Sequence, residues 1–372
     1  MPSVRVLLAV LYMAIVACAP AQPAQTATPT AQRAASGSAP AATAAAPVAV
    51  TPTAAPAPAT VRLGLMYSAS DAGLLVALER GYYRELGLNV ELEQFGAAAQ
   101  MLGPLGAAQI DTGGTAITPG YLNAFARGVR VRVVADKGTT EPGWGYQGIA
   151  IRRPLWDAGT VRGPAELRGR KVAIPSLGSS AEVGLDRGLR LGGIGVRDVD
   201  MTQLPFPDMP PALASGAIDG ALIIEPFLTR VEADGTAVVW KREDEYYPNH
   251  QIALMYYSEP FATERADVAR RFMVAYLRGV RDYNDGFRKG DAARRQEAVA
   301  ALVKHTAVKD PALYERMAMP ALHPDGEMHV DSLRENYEYW LANGYQEERV
   351  TVTDLIDSSF IRYAQQQLGP YR

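Results

Sequence analysis

Residues 61–135 alternate short apolar runs with amphipathic segments, and this alternation limits the possible folds more than any other feature of the chain. The pattern predicts strands at 61–66, 89–95, 110–114 and 129–135 and helices at 73–86, 97–108 and 118–127, with the second helix interrupted at Gly103 and Pro104. Strands that alternate with helices in this way favour a mostly parallel sheet with helices on both faces, which is the α/β class.

A second strand–helix series runs from about residue 155 to residue 240, and the remainder of the chain is predicted to be largely helical. Its strands are predicted at 172–175, 199–204, 218–224 and 237–240. The predicted folded part, 61–372, is longer than one hydrophobic core usually serves, so we expect two lobes.

Two short apolar segments, 148–152 and 251–257, separate these parts of the chain. We expect the chain to leave the first lobe at one of them and return at the other, which makes a two-strand hinge. Lobe I would then consist of 61–150 and 251–372, and lobe II of 151–250. Spacing alone also permits the alternative that both segments are strands of one continuous sheet.

The segment 19–60 consists mostly of Ala, Pro, Thr, Gln and Ser, and its only charged side chain is Arg33. It has no aromatic residue and almost no large aliphatic one, so it cannot bury enough apolar surface to offset the entropy of ordering. Scattered prolines disfavour the alternative of an alanine-rich helix. We expect residues 18–60 to form a disordered, flexible stalk.

Cys18 is the only cysteine among 372 residues, and it ends a short apolar run. Residues 1–17 have the features of a signal peptide, because the uncharged run 6–17 is too short to span a bilayer. The sequence Ile-Val-Ala-Cys at 15–18 resembles the lipobox of bacterial lipoproteins, in which the thiol carries a lipid such as palmitate. The resemblance implies a lipid anchor at the extracytoplasmic face of the cell membrane. The alternative is an ordinary secretory signal with a chance cysteine.

Three further motifs carry a resemblance to a known family. Residues 77–92 read Ala-Leu-Glu-Arg-Gly-Tyr-Tyr-Arg-Glu-Leu-Gly-Leu-Asn-Val-Glu-Leu, residues 167–180 join a predicted strand to a Gly-Ser-Ser loop, and residues 212–226 end in Ile-Ile-Glu-Pro. Together they resemble the solute-binding proteins of ABC importers for sulfonates, nitrate, taurine and thiamine-pyrimidine precursors. The resemblance implies a type II periplasmic-binding-protein fold, which holds a small-molecule ligand between two lobes and delivers it to a membrane permease and its ATPase.

We expect the ligand at the carboxyl ends of the strands, where ligands of open α/β sheets bind and where helix N-termini offer free N–H groups. The candidate ligand-binding residues in or beside these loops are Tyr67, Ser68, Asp71, Thr115, Trp144, Tyr146, Ser179, Ser180, Glu225 and Phe227. For each aromatic residue the alternative is packing in the core. For Glu225 the alternative is a favourable interaction with a helix dipole.

Aromatic side chains with polar tips suit a flat heterocycle, and the chain has 18 Tyr against 8 Phe. No Arg or Lys falls within the four strand-end loops, which weakens the case for a small anion, although Lys137 is near enough to reach the cleft. Lipoproteins that resemble this family include riboflavin binders. We therefore favour riboflavin or another vitamin-like heterocycle, with a sulfonate, taurine or nitrate as the alternative.

The sequence indicates no enzyme, no catalytic residue and no cofactor. One cysteine excludes a disulfide framework and a thiolate metal cluster, and the chain lacks both a Gly-x-Ser-x-Gly elbow and a phosphate-binding Gly-Lys-Ser/Thr loop. The histidines and acids of 323–329 lack the spacing of a helical metal-ligand pair, so no metal site is expected. A net charge of −3 gives no sign of nucleic-acid binding. A pyrimidine-synthase-like enzyme and a sensor or adhesion lipoprotein remain as alternatives.

Overall fold

The computed structural model describes residues 57–66, 68–346 and 350–372, all within the compact unit Ala54–Arg372. The predicted signal peptide, Cys18, most of the predicted stalk and Tyr67 lie outside the described residues. Within the described ranges, every helix is too short or too polar to cross a lipid bilayer.

Ten strands in this part of the chain form two five-stranded sheets. They are β1 (Ala59–Leu65), β2 (Leu88–Gln94), β3 (Thr112–Ala116), β4 (Val131–Thr140), β5 (Gln147–Arg152), β6 (Lys171–Ile174), β7 (Asp200–Gln203), β8 (Gly220–Ile224), β9 (Ala237–Arg242) and β10 (His250–Ser258). The first sheet has the order β2-β1-β3-β10-β4 and the second has the order β7-β6-β8-β5-β9. Two separate sheets exclude the alternative of one continuous sheet.

Each sheet contains one strand that runs against its neighbours. In the first sheet β1 is parallel to β2 and β3, whereas β10 is antiparallel to β3 and β4. In the second sheet β6 is parallel to β7 and β8, whereas β5 is antiparallel to β8 and β9. The chain passes between the lobes at 141–146 and at 243–249, whereas the predicted crossings 148–152 and 251–257 lie within β5 and β10. The reversed strand is the next one formed after each of the two observed connections.

Helices cover both faces of both sheets. They are α1 (Ala72–Glu79), α2 (Tyr82–Glu85), α3 (Ala98–Gly106), α4 (Pro119–Ala126), α5 (Arg153–Asp157), α6 (Ser180–Arg190), α7 (Met209–Ser215), α8 (Phe227–Ala233), α9 (Glu259–Thr263), α10 (Ala266–Phe287), α11 (Ala292–His305), α12 (Pro311–Arg316), α13 (Val330–Ala342) and α14 (Ser359–Leu368). Short 3-10 turns lie at Ala69–Asp71, Pro164–Leu167, Val196–Asp198, Phe206–Asp208, Glu243–Glu245 and Val352–Leu355.

Successive side chains of β10 point to opposite faces of the first sheet, so this strand contributes to the hydrophobic core on both sides. All nine residues of β10 are buried, as expected of a central strand covered on both faces. Tyr257 belongs to the core cluster that includes residues of α1, α10 and α14 on one face, and Tyr256 belongs to the cluster that includes residues of α3, α4 and α13 on the other. In the second lobe, α7 and α8 cover one face and α6 covers the other.

Candidate ligand-binding site

A small cavity of about 30 Å³ lies between the two lobes. It is lined by Met66, Ser68, Ser70, Ala98, Thr115, Ala116, Lys137, Ile252 and Ala253 of the first lobe and by Gln147, Pro175, Ser179, Ser180, Ala181, Phe206 and Ile224 of the second. Most of these residues stand at or just beyond the carboxyl ends of β1, β3, β6 and β8. This is the edge of the sheets where α/β folds bind ligands.

The lobes touch each other directly around the cavity. The Ala69 N–H donates to the Glu225 carbonyl oxygen at 3.0 Å, and the Ser180 hydroxyl donates to the Ile252 carbonyl oxygen at 3.0 Å. Both bonds join one lobe to the other, so this is the closed arrangement of a two-lobed protein.

A buried ion pair forms one wall of the cavity. Lys137 lies within β4, and its Nζ is 2.8 Å from Asp71 Oδ1; both side chains are only 1% exposed. The ammonium also donates to Ser70 Oγ at 2.8 Å. Asp71 Oδ2 accepts the N–H groups of Met66 and Ser68, each at 3.1 Å. The pair is therefore charge-balanced and hydrogen-bonded, the conditions under which buried charges are tolerated.

Hydroxyl groups make up much of the polar surface of the cavity. The buried Thr115 hydroxyl has no hydrogen-bond partner among the described residues. Ser68 and Ser70 share a hydroxyl–hydroxyl bond of 3.0 Å, and Ser179 donates to the Ser176 carbonyl oxygen at 2.7 Å. Ser179 is also the N-cap of α6, whose first backbone N–H groups form the positive end of the helix dipole. The cavity thus combines an ammonium group, hydroxyls and a helix N-terminus.

Tyr146 stands behind Ser70 and is fully buried. A Cβ placed on Gly138 would lie 2.6 Å from Tyr146 Oη, so a larger residue at that position of β4 would displace the tyrosine. Burial raises the pKa of the Tyr146 phenol well above its usual value, and the nearby carboxylates of Asp136 and Glu243 raise it further. Tyr146 is therefore a neutral group at all physiological pH values.

The side chains of three predicted site residues do not line the cavity. Glu225 accepts from Arg242 Nη1 at 2.7 Å and from the Thr229 hydroxyl at 2.7 Å, so its carboxylate is engaged within the second lobe. Phe227 is packed in the core of that lobe. Trp144 lies under the Arg288 guanidinium, whose Cζ is 4.4 Å from a Trp144 ring centroid.

The other predicted residues are divided between the cavity and the layer behind it. Ser68, Thr115, Ser179 and Ser180 line the cavity. Asp71 and Tyr146 support the lining residues from behind. Lys137, Ser70 and Phe206 are lining residues absent from the predicted set. The sequence does contain a signal for Lys137, which lies two residues after the predicted strand 129–135. The observed β4 continues to Thr140 and therefore includes it.

Comparison with known proteins gives a match to one protein family and a related binding protein. A profile of the NMT1-like family matches residues 54–303. A protein of Escherichia coli (strain K12), described as a binding protein for aliphatic sulfonates, is 24% identical over 270 residues, which are 69% of this chain and 74% of that one.

Two solved structures share the fold. The alkanesulfonate-binding protein SsuA of Xanthomonas axonopodis pv. citri, bound to MOPS, superposes with a TM-score of 0.65 at 21% identity, covering 82% of this chain and 99% of that one. The nitrate-binding protein NrtA of Synechocystis PCC 6803 gives 0.69 at 17% identity, covering 85% and 90%. These likenesses confirm the predicted periplasmic-binding-protein fold. All three relatives are described as binding proteins.

Proposed function

The chain belongs to the NMT1-like family, and on that premise we propose that it is the solute-binding subunit of an ABC importer. It would capture a small oxyanion, with an organic sulfonate favoured, in the cavity between its lobes and deliver it to a permease and its ATPase. The names of its relatives support this class of ligand, since two are described as sulfonate-binding proteins and one as a nitrate-binding protein. The lipobox at Cys18 supports a lipid anchor at the extracytoplasmic face of the membrane.

The observation that carries the ligand class is the buried Lys137 ammonium in the cavity wall. A lysine has three N–H donors. Ser70 accepts one of them and Asp71 Oδ1 is an ion-pair partner 2.8 Å from Nζ, so at least one donor is left for a ligand. The unpartnered Thr115 hydroxyl supplies a second donor, and the N-terminus of α6 supplies backbone N–H groups. An oxyanion can accept hydrogen bonds from the ammonium, the hydroxyl and the backbone N–H groups. Such bonds to an ionised acceptor are stronger than those between neutral groups.

The riboflavin prediction has less support than the oxyanion. Phe206 is the single aromatic ring in the described part of the cavity lining, and Trp144 is engaged with Arg288. A volume of about 30 Å³ is of the order of one or two water molecules, far below the roughly 300 Å³ or more of a drug-sized pocket. A three-ring heterocycle would require the lobes to separate widely, whereas a small anion would not.

The test is calorimetry of the purified full-length chain with ethanesulfonate, taurine, nitrate and riboflavin as separate probes. We expect binding of at least one of the three small anionic or zwitterionic probes and no heat with riboflavin. Thr115→Val, which keeps the shape and removes the hydroxyl, should weaken that binding by roughly tenfold, about 1.4 kcal/mol. The exposed Thr160→Val is the matched control and should bind normally. Heat with riboflavin and with none of the other three probes would refute the oxyanion proposal and favour a heterocyclic ligand.

A further inference from the structure

Glu182, in the first turn of α6, is a buried carboxylate without an ion-pair partner among the described residues. Its charge is instead met by hydrogen bonds. Tyr339 and Tyr345 each donate a hydroxyl to Oε1 at 2.9 Å, and the Gly178 N–H donates to Oε2 at 2.7 Å. Burying a charge is costly unless such bonds are made, so the carboxylate needs all three donors.

The two tyrosines and the glutamate come from different lobes. Tyr339 lies in α13 and Tyr345 lies just after it, and α13 packs on the first sheet through Leu333 and Trp340. Glu182 belongs to the second lobe. The Tyr–Glu contacts therefore exist only when the lobes are closed. Burial and the Glu182 carboxylate raise the pKa of Tyr345 to about 12, so its hydroxyl keeps its proton at physiological pH.

The third donor connects this cluster to the ligand cavity. Gly178 belongs to the loop that continues into Ser179 and Ser180, which line the cavity. Its φ of +68° favours glycine, and a Cβ there would lie 2.9 Å from the side chain of Pro119 at the start of α4. The loop is thus pressed against the first lobe on one side and held by Glu182 on the other.

We propose that Glu182 is a positioning residue for the ligand site and that, with Tyr339 and Tyr345, it forms a latch that fixes the 178–180 loop when the lobes close. The latch sets the rate at which a bound ligand leaves. Neighbouring inter-lobe contacts are weaker candidates for this role, since the Arg187–Glu335 pair is about half exposed at 3.4 Å. The inference rests on the proposed function, because it concerns the same cavity.

The experiment compares the wild-type full-length chain with Tyr339→Phe, Tyr345→Phe and the double variant. Tyr363→Phe on α14 is the matched control, because Tyr363 lies beside Arg270 and takes no part in the Glu182 cluster. The first readout is the stopped-flow rate of ethanesulfonate binding and release. The second is hydrogen exchange of the 178–182 amides, with and without ethanesulfonate.

Each single variant should release ethanesulfonate roughly tenfold faster, with its association rate within about twofold of wild type, and should exchange the 178–182 amides faster. The control should match wild type in both. Unchanged release rates, or faster release without faster exchange, would overturn the latch. If the wild type does not bind ethanesulfonate, the proposed ligand fails by itself. Taurine, nitrate or riboflavin, whichever binds in calorimetry, then replaces ethanesulfonate in both readouts. Unchanged exchange of the 178–182 amides in both tyrosine variants with that probe bound overturns the latch.

Discussion

The buried pair of Lys137 and Asp71 allows a quantitative prediction. Replacing Lys137 with methionine leaves the Asp71 carboxylate at 1% exposure without its cation, although two backbone N–H bonds remain. Removing one partner of a buried ion pair lowers the free energy of unfolding by about 3–5 kcal/mol. For Lys137→Met we expect a loss of about 3 kcal/mol, because the two backbone bonds still stabilise the carboxylate. For Asp71→Asn we expect a loss of about 5 kcal/mol, because the Lys137 ammonium then keeps only its hydrogen bond to Ser70.

The double variant separates an ion-pair effect from general damage to packing. The double variant leaves no uncompensated buried charge. Its loss of unfolding free energy should therefore be smaller than the sum of the two single losses by at least about 2 kcal/mol. Urea unfolding followed by circular dichroism measures all three variants. Lys304→Met is the control, because that lysine is 62% exposed beside Glu79 and its loss should cost less than about 1 kcal/mol. Losses that add to within about 0.5 kcal/mol would refute the reasoning.

Three further predictions concern the anchor, the hinge and the response to acid. Cys18→Ser should move the protein from the membrane fraction to the soluble fraction; an unlipidated, fully soluble wild type would contradict the lipobox. Saturating ethanesulfonate should reduce the radius of gyration in small-angle scattering as the two connections bend, and an unchanged profile would argue against closure. Burial opposes ionisation of Glu79, but hydrogen bonds from His305 and Lys304 outweigh it and hold its pKa below 4.5. The group therefore stabilises the fold above pH 4.5 and loses this contribution as the pH falls through the lower folded-state value. Glu79→Gln should make the free energy of unfolding depend less on pH in this range, by less than about 1 kcal/mol because the pair is partly exposed. An acid-unfolding curve identical to that of wild type would contradict this role of Glu79.

The sequence predicted the strands and the ligand edge well because both depend on local patterns. The predicted strand 89–95 and the observed β2, Leu88–Gln94, differ by one residue at each end. Ser68, Thr115, Ser179 and Ser180 line the cavity because each follows or opens an element whose position the periodicity gives. Their placement needed only the rule that ligands bind where the strands end.

Helix boundaries were harder to predict from the same patterns. The predicted helix 73–86 is divided, because Gly81 has a φ of +77° between α1 and α2. The interruption expected at Gly103 and Pro104 was wrong, since α3 continues through both. A proline removes one N–H donor, and burial of Met101 and Leu105 on either side of the turn keeps α3 on the sheet.

The partners of loop side chains depended on contacts between distant parts of the chain. Trp144 is engaged by Arg288 of the segment after α10, and Glu225 by Arg242 at the end of β9. Neither partner leaves a signal near the residue it binds. Lys137 was similar, because its carboxylate partner lies in the loop after β1 and only the full length of β4 brings the two together.

The position of β10 between β3 and β4 has a consequence for the order of folding. The five strands of the second sheet come from one continuous stretch, Gln147 to Arg242, so that lobe has all its partners as soon as this stretch is available. The first sheet has a gap at its centre until His250–Ser258 arrives from the far side of the second lobe. Closing such a long loop is slow, and pairings of high sequence separation lower folding rates. Until β10 is available, β3 is therefore unpaired on one side and β4 has no partner strand in this sheet. The signal peptide predicted at residues 1–17 implies export, and in an exported chain this late closure would favour transport over premature folding.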